Sequence, residues 1–143
     1  MKKNNYIKWI NAEEMHDGSL RWFSELKFIR EEQFFLNKLV QSFTLQLIDS
    51  KLFKDSKKIV ALLQHTEKEI VLLLKKVQAH ENKLEIIVDE IDQRKLEKAY
   101  LETHQELQIE MNDYTQRYRE IKEQLFKLLT SIMKKEKQKR LLN

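Results

Sequence analysis

Histidines are the residues of this chain best suited to bind a metal ion, and the sequence contains four of them. Helical di-metal proteins carry a Glu-x-x-His motif on facing helices. The residues three positions before His65, His80 and His104 are apolar instead: Leu62, Val77 and Leu101. One pair, His65 with Glu69, has the i, i+4 spacing that places two ligands on one helix face. A single pair is common by chance in such a charged helix, so we predict neither a metal site nor a cofactor.

Polar side chains interrupt the apolar helix faces at four positions: Gln33, Thr66, His80 and Thr103. If they meet in a layer, they form a buried hydrogen-bonded network that fixes the helix register. A catalytic dyad would also need an acidic or nucleophilic partner, which these faces lack. We therefore predict a non-enzymatic protein without catalytic residues, in which His80 is a polar residue of the core.

A basic run ends the chain, with five cations interrupted by one acid: Lys134, Lys135, Lys137, Lys139 and Arg140, around Glu136. Such a run is able to contact nucleic acid or an anionic lipid surface. No aromatic residue interleaves with it, and no nucleic-acid-binding motif precedes it. Cations also favour a helix C-terminus. A nucleic-acid-associated accessory protein is therefore the alternative function and not the preferred one.

The amino-acid composition favours an all-helical protein, so these side chains are expected to lie on helices. The 143 residues include one Gly, no Pro and no Cys, which leaves few residues for hairpin turns or phosphate-binding glycine loops. The net charge of +4 comes from the ends, because 20 basic and 22 acidic residues remain without Lys2, Lys3 and residues 134–140. No secretory signal or run of about 18 apolar residues is present. We expect an all-α cytoplasmic protein without a membrane span.

Apolar residues at alternating spacings of four and three form three lines, which we call seams. The first contains Trp22, Leu26, Ile29, Leu36, Val40, Phe43 and Leu47, with Gln33 as its polar member. The second contains Ile59, Leu63, Thr66, Ile70, Leu73, Val77, His80, Leu84, Ile87 and Ile91. The third contains Leu96, Tyr100, Thr103, Leu107, Met111, Tyr114, Tyr118, Ile121, Leu125, Leu128 and Ile132.

The seams predict helices at about 19–49, 56–91 and 95–133, with Ser19 as the first N-cap. Residues 1–18 are expected to be a flexible lead-in with a docking patch at Tyr6, Ile7, Trp9 and Ile10, and residues 134–143 to continue the last helix. Phase breaks place turns near 50–56 and 92–95, although one long helix from Ser56 onward is the alternative to the second turn. The predicted fold is an elongated antiparallel three-helix bundle with coiled-coil-like heptad seams, completed by dimerisation.

The first two helices have more apolar surface than a three-helix core uses. On a helical wheel, Phe28, Phe35 and Leu39 extend one flank of the first seam, while Phe34 extends the other. Residues 70–74 read IVLLL around the whole circumference. We predict a protein-interaction surface that includes Phe28, Phe34, Phe35, Leu39, Val71 and Leu72 and binds a second copy or a partner's helix. A bundle that leaves a few aromatics exposed is the alternative.

Overall fold

The structure is a computed structural model that describes residues 10–49, 51–88 and 93–142. These residues form four helices and no strand: α1 (Ala12–Ser42), α2 (Thr44–Asp49), α3 (Phe53–Val88) and α4 (Gln93–Leu142). The predicted all-α class is confirmed. Tyr6, Ile7 and Trp9 of the proposed docking patch lie outside the described residues.

The first helix begins seven residues before the predicted start at Ser19. Asn11 is its N-cap, since its side-chain oxygen accepts a hydrogen bond from the Glu14 amide at 2.8 Å. Ser19 lies inside the helix, fully buried, and its hydroxyl donates to the Met15 carbonyl at 2.8 Å. The predicted N-cap and lead-in boundary were therefore wrong. Ala12 and Met15 are buried and lie three residues apart, a helical spacing. The polar residues around them hid this signal in the sequence.

The predicted first helix is interrupted at Phe43, which separates α1 from α2. The Phe43 amide donates to the Val40 carbonyl, a tighter i, i+3 bond at 3.1 Å. The Ser42 hydroxyl donates to the Leu39 carbonyl, and the Thr44 hydroxyl donates to the Gln41 carbonyl. Hydroxyl groups that compete for helix carbonyls in this way favour a break.

The other boundaries also differ from the prediction. Helix α3 begins three residues before Ser56, whose amide donates to the Leu52 carbonyl at 2.8 Å. Helix α4 begins at Gln93, so most of the predicted turn at 92–95 is helical. The structure has two separate helices, α3 and α4, where one long helix was the alternative. The basic run continues α4, as predicted.

The chain divides into two compact units: unit 1 comprises residues 1–27 and 72–111, and unit 2 comprises residues 28–71 and 112–143. In unit 1, Ala12 and Met15 of α1 pack with Leu84 of α3 and Leu101 of α4. In unit 2, the buried apolar residues include Ile29 and Leu36 of α1, Leu63 and Ile70 of α3, and Tyr114 and Leu125 of α4. Segments of α1, α3 and α4 therefore supply the core of each unit.

The second seam is buried at every described side chain from Ile59 to Leu84. The third seam is buried from Leu107 to Ile132. Before Leu107 it is only partly correct, because Leu96 and Tyr100 are half-buried against the core of unit 1. There, Thr103 is exposed, while Glu97, Leu101 and His104 are buried. Hydrophobic patterning missed Glu97 and His104 because each is polar and is buried only with a hydrogen-bond partner from another helix.

Gly18, the single glycine, lies within α1 without a positive φ. A Cβ added there would lie 3.5 Å from His104 Cε1 and 3.6 Å from Nε2, which is ordinary van der Waals contact. Since glycine has a high entropic cost inside a helix, Gly18→Ala is expected to raise the free energy of unfolding by about 0.5–1 kcal/mol. Urea denaturation measures this change, and a decrease would mean that the His104 ring needs the space.

Candidate functional site

The predicted interaction residues of unit 2 lie on two separate surfaces, one on α1 alone and one shared by α1 and α3. Phe28, Phe35 and Leu39, together with Glu32, follow the 4-3-4 spacing of a heptad stripe. The Phe28 side chain is 65% exposed and that of Phe35 is 59% exposed, while Leu39 is half-buried. We call these three apolar residues the Phe28 stripe. They lie beside the buried seam of the same helix, with the Glu32 carboxylate between Phe28 and Phe35.

Phe34 belongs to a different surface, because it lies roughly 100° around the helix from Phe35. It is 62% exposed and lines a groove of about 160 Å³ with Val71 of α3. The Asn37 amide donates to Glu67 Oε1 at 2.6 Å across the same two helices. Leu72 is also exposed but lies in unit 1. The six predicted residues are therefore exposed or half-buried, without forming one patch in unit 2.

Glu32 fixes α1 against α4 at the centre of the Phe28 stripe. Its Oε1 atom accepts a hydrogen bond from the Tyr118 hydroxyl at 2.7 Å and one from Lys122 Nζ at 2.9 Å. The net effect lowers the pKa of Glu32: desolvation opposes the shift, but these two donors outweigh it. Burial, with the Glu32 charge, raises the pKa of Tyr118 well above its ordinary value. The carboxylate is thus charged and neutralised by Lys122, so it does not set a free negative charge within the stripe.

A buried polar layer lies in the core of unit 2. The Gln33 side-chain amide donates to the Tyr114 hydroxyl at 3.0 Å and to Thr66 Oγ1 at 3.3 Å. The Tyr114 hydroxyl donates in turn to the Thr66 carbonyl at 2.8 Å. Burial raises the pKa of Tyr114 to about 12, so the hydroxyl stays protonated as a donor. The layer joins α1, α3 and α4 and fixes the face of α1 on which the Phe28 stripe lies.

This layer agrees only in part with the predicted network. Gln33 and Thr66 meet, and Tyr114 joins them, although the sequence indicated only that Tyr114 would pack with its hydroxyl reaching the rim. His80 pairs instead with His104 in unit 1, and Thr103 is exposed. The sequence did contain a signal for this contact. Tyr114 lies in the third seam, and a tyrosine hydroxyl that is buried there needs a hydrogen-bond partner.

His80 and His104 form the polar core of unit 1. Both are buried, and His80 Nε2 lies 3.0 Å from His104 Nδ1. The Trp22 ring stacks on His104 with a centroid distance of 4.5 Å. Desolvation lowers the pKa of each imidazole to about 4, with smaller contributions from Lys83 at His80 and from His80 at His104. Both rings are therefore neutral at pH 7, as the interpretation of His80 as a core residue requires.

The remaining metal candidate from the sequence, His65 with Glu69, is a surface pair. His65 Nε2 lies 3.3 Å from Glu69 Oε1, but Arg117 binds both oxygens of Glu69 at 2.8 Å. These hydrogen bonds from Arg117 lower the pKa of Glu69. Because the guanidinium occupies the carboxylate, the pair has no free ligand oxygen pointing to a metal ion.

The five cations of the basic run are all exposed on α4. At 100° per residue they are distributed around the helix and not along one side. Lys135 and Lys139 line a groove of about 420 Å³ with Asp49 and Glu136. This arrangement places carboxylates beside the cations and does not form the single basic face that favours nucleic acid.

Comparison with known proteins gives no relative: no family model, curated protein or solved structure matches the chain. Among the described residues, no helix combines the length and apolar character needed to cross a bilayer.

Proposed function

We propose that this protein is a non-enzymatic interaction protein that acts in the cytoplasm by burying the Phe28 stripe against a second copy of the same stripe. The observation that carries the proposal is the exposure of Phe28 and Phe35 at heptad spacing. In this proposal the fold is an antiparallel three-helix bundle with coiled-coil-like seams, and dimerisation adds a further seam on α1.

A two-fold dimer suits this surface because the same patch then serves both partners. The charge of Glu32 within the stripe is already paired with Lys122 Nζ at 2.9 Å. The Glu32 carboxylate therefore brings no unpaired charge to the contact, while the exposed Glu31, three residues after Phe28 and four before Phe35, would lie at its edge. The stripe also has the alternating four- and three-residue spacings of a coiled-coil seam. Such spacing allows the side chains of a partner helix to pack between those of α1.

The energy of such a contact is modest. Burying the remaining exposed part of each phenylalanine contributes about 1–2 kcal/mol. Association costs several kcal/mol of lost translational and rotational freedom. The four phenylalanines of a two-fold dimer contribute about 4–8 kcal/mol in total, so only a few kcal/mol remain after this cost. We therefore expect a weak dimer with a dissociation constant on the order of 0.1–1 mM.

Site-specific photo-crosslinking maps the proposed surface. We expect p-benzoylphenylalanine at position 35 to give a covalent dimer on irradiation, because that side chain would touch the second copy. The matched control is position 109 on α4, where Ile109 is 65% exposed but lies in unit 1. Equal yields at both positions would indicate random collisions, and a lack of dimer at position 35 would contradict the proposal.

A further inference from the structure

His16, Glu81 and Glu85 form a cluster of possible metal ligands in unit 1, distinct from the Phe28 stripe. One ligand atom from each residue lies within 4.8 Å of the others. His16 is on α1, while Glu81 and Glu85 are one turn apart on α3. An i, i+4 pair places both carboxylates on the same helix face, and the neighbouring helix supplies the imidazole.

Glu81 has an unusual environment for a carboxylate. It is 8% exposed, and its Oε1 atom lies 3.0 Å from His16 Nε2. The Gln78 side-chain amide orients the other oxygen through a hydrogen bond of 3.2 Å. Among the described residues, neither a lysine nor an arginine forms an ion pair with Glu81. A buried carboxylate beside a second carboxylate is stabilised by a cation between them.

The distances also suit a metal ion. Two ligands at about 2.1 Å from a metal, separated by an angle of 90–109°, lie about 3.0–3.4 Å apart. The separation of His16 Nε2 and Glu81 Oε1 is 3.0 Å. Glu85 is exposed, so its flexible side chain is free to approach as the third ligand. An ion at this point would replace the direct contact between His16 and Glu81 with two coordination bonds.

We propose that His16, Glu81 and Glu85 bind one divalent transition-metal ion, with Zn²⁺ as the first probe. Imidazole with carboxylates is a donor set for Zn²⁺, Mn²⁺ or Fe²⁺. Three protein ligands leave a position for water or another small ligand. The site links α1 to α3 within unit 1 and is independent of dimer formation.

His16 also differs from the other histidines in the residue three positions before it. Glu13 precedes it by three residues, so the Glu-x-x-His spacing absent at His65, His80 and His104 occurs here. Glu13 is exposed and is not one of the three clustered ligands. The spacing therefore carries no information about this cluster, and only the fold brings His16 to Glu81 and Glu85.

Isothermal titration of the untagged full chain with ZnCl₂ at pH 7 tests the site. We expect one ion per chain and at least a tenfold loss of affinity in His16→Ala and in Glu85→Gln. Glu85→Gln changes an exposed side chain, so it separates ligand loss from unfolding, which circular dichroism monitors. The matched control is His65→Ala, which removes the other histidine paired with a glutamate and is expected to keep wild-type affinity.

Two results would overturn the proposal. The first is an absence of stoichiometric Zn²⁺ binding by the wild-type protein. The second is binding that survives both His16→Ala and Glu85→Gln, or that is lost in His65→Ala, since the ion would then be adventitious or bound elsewhere. A Co²⁺ titration gives an independent readout, because the visible absorption of the bound ion is expected in the wild type and lost in His16→Ala.

Discussion

Lowering the pH from 6.5 to 4 is expected to destabilise the protein through His80 and His104. Their pKa values fall from an ordinary 6.5 to about 4 in the folded state because burial penalises the charged imidazole. Unfolded histidines take up protons below pH 6.5, while the folded pair stays mostly neutral until the pH approaches 4. The stabilising contribution is therefore complete above pH 6.5 and is lost as the pH falls towards 4.

The expected size follows from the pKa change. Each unit corresponds to about 1.4 kcal/mol. Because the two rings are in contact and titrate as a pair, the free energy of unfolding should fall by several kcal/mol for the pair as a whole. Urea denaturation at several pH values measures the slope. Glu32 and Glu69 have lowered pKa values and contribute at lower pH, below about 4.5, so the interval from pH 6.5 to 5 reports mainly the histidines.

Substitution separates the buried pair from the other histidines. The double variant His80→Leu with His104→Leu is expected to flatten the stability profile between pH 6.5 and 5. His65→Ala removes an exposed histidine and should retain the wild-type slope. A wild-type slope in the double variant would show that other groups cause the acid sensitivity.

Replacing Tyr114 with alanine is expected to lower the free energy of unfolding by about 3–5 kcal/mol. Its side chain is 2% exposed and holds the polar layer of unit 2 together through Gln33 and Thr66. The loss combines an apolar cavity with unpaired polar groups. Chemical denaturation measures the effect, and Tyr100→Ala, at a half-buried tyrosine of α4, is expected to cost less.

Two smaller changes distinguish the hydrogen bonds from the packing. Tyr114→Phe keeps the ring and is expected to cost about 1–3 kcal/mol, because the Gln33 amide and the Thr66 carbonyl lose a partner. Adding Gln33→Leu removes one of those unpaired groups and should cost less than the sum of the single changes. If Tyr114→Phe has wild-type stability, the layer does not stabilise unit 2.

Periodicity was enough to predict the helices because most core positions are apolar. The second seam, from Ile59 to Leu84, shows this agreement along α3. Boundaries were harder because the chain has one glycine and no proline to mark them. Asn11, not Ser19, caps α1, and hydroxyl groups at Ser42 and Thr44 end a helix that the heptad pattern would continue.

The sequence also did not reveal which polar residues are buried. His104 and Glu97 each satisfy a partner that is distant in sequence: His104 contacts His80, and Glu97 accepts the backbone amide of Ala12. The same is true of His16 with Glu81. The spacing of residues along a single helix does not contain these pairings. The exposed phenylalanines were easier to predict, because Phe28 and Phe35 lie off the seam of their own helix.

Sedimentation equilibrium of the untagged full chain tests the interaction surface most directly. Over about 0.05–1 mM, we expect the fraction of wild type in the dimer to rise with concentration. The variant Phe28→Ser with Phe35→Ser should weaken association by about 100-fold, while Ile109→Ser should behave like wild type. A wild-type protein that remains monomeric throughout, or a serine variant that dimerises equally well, would contradict the proposed role of the Phe28 stripe.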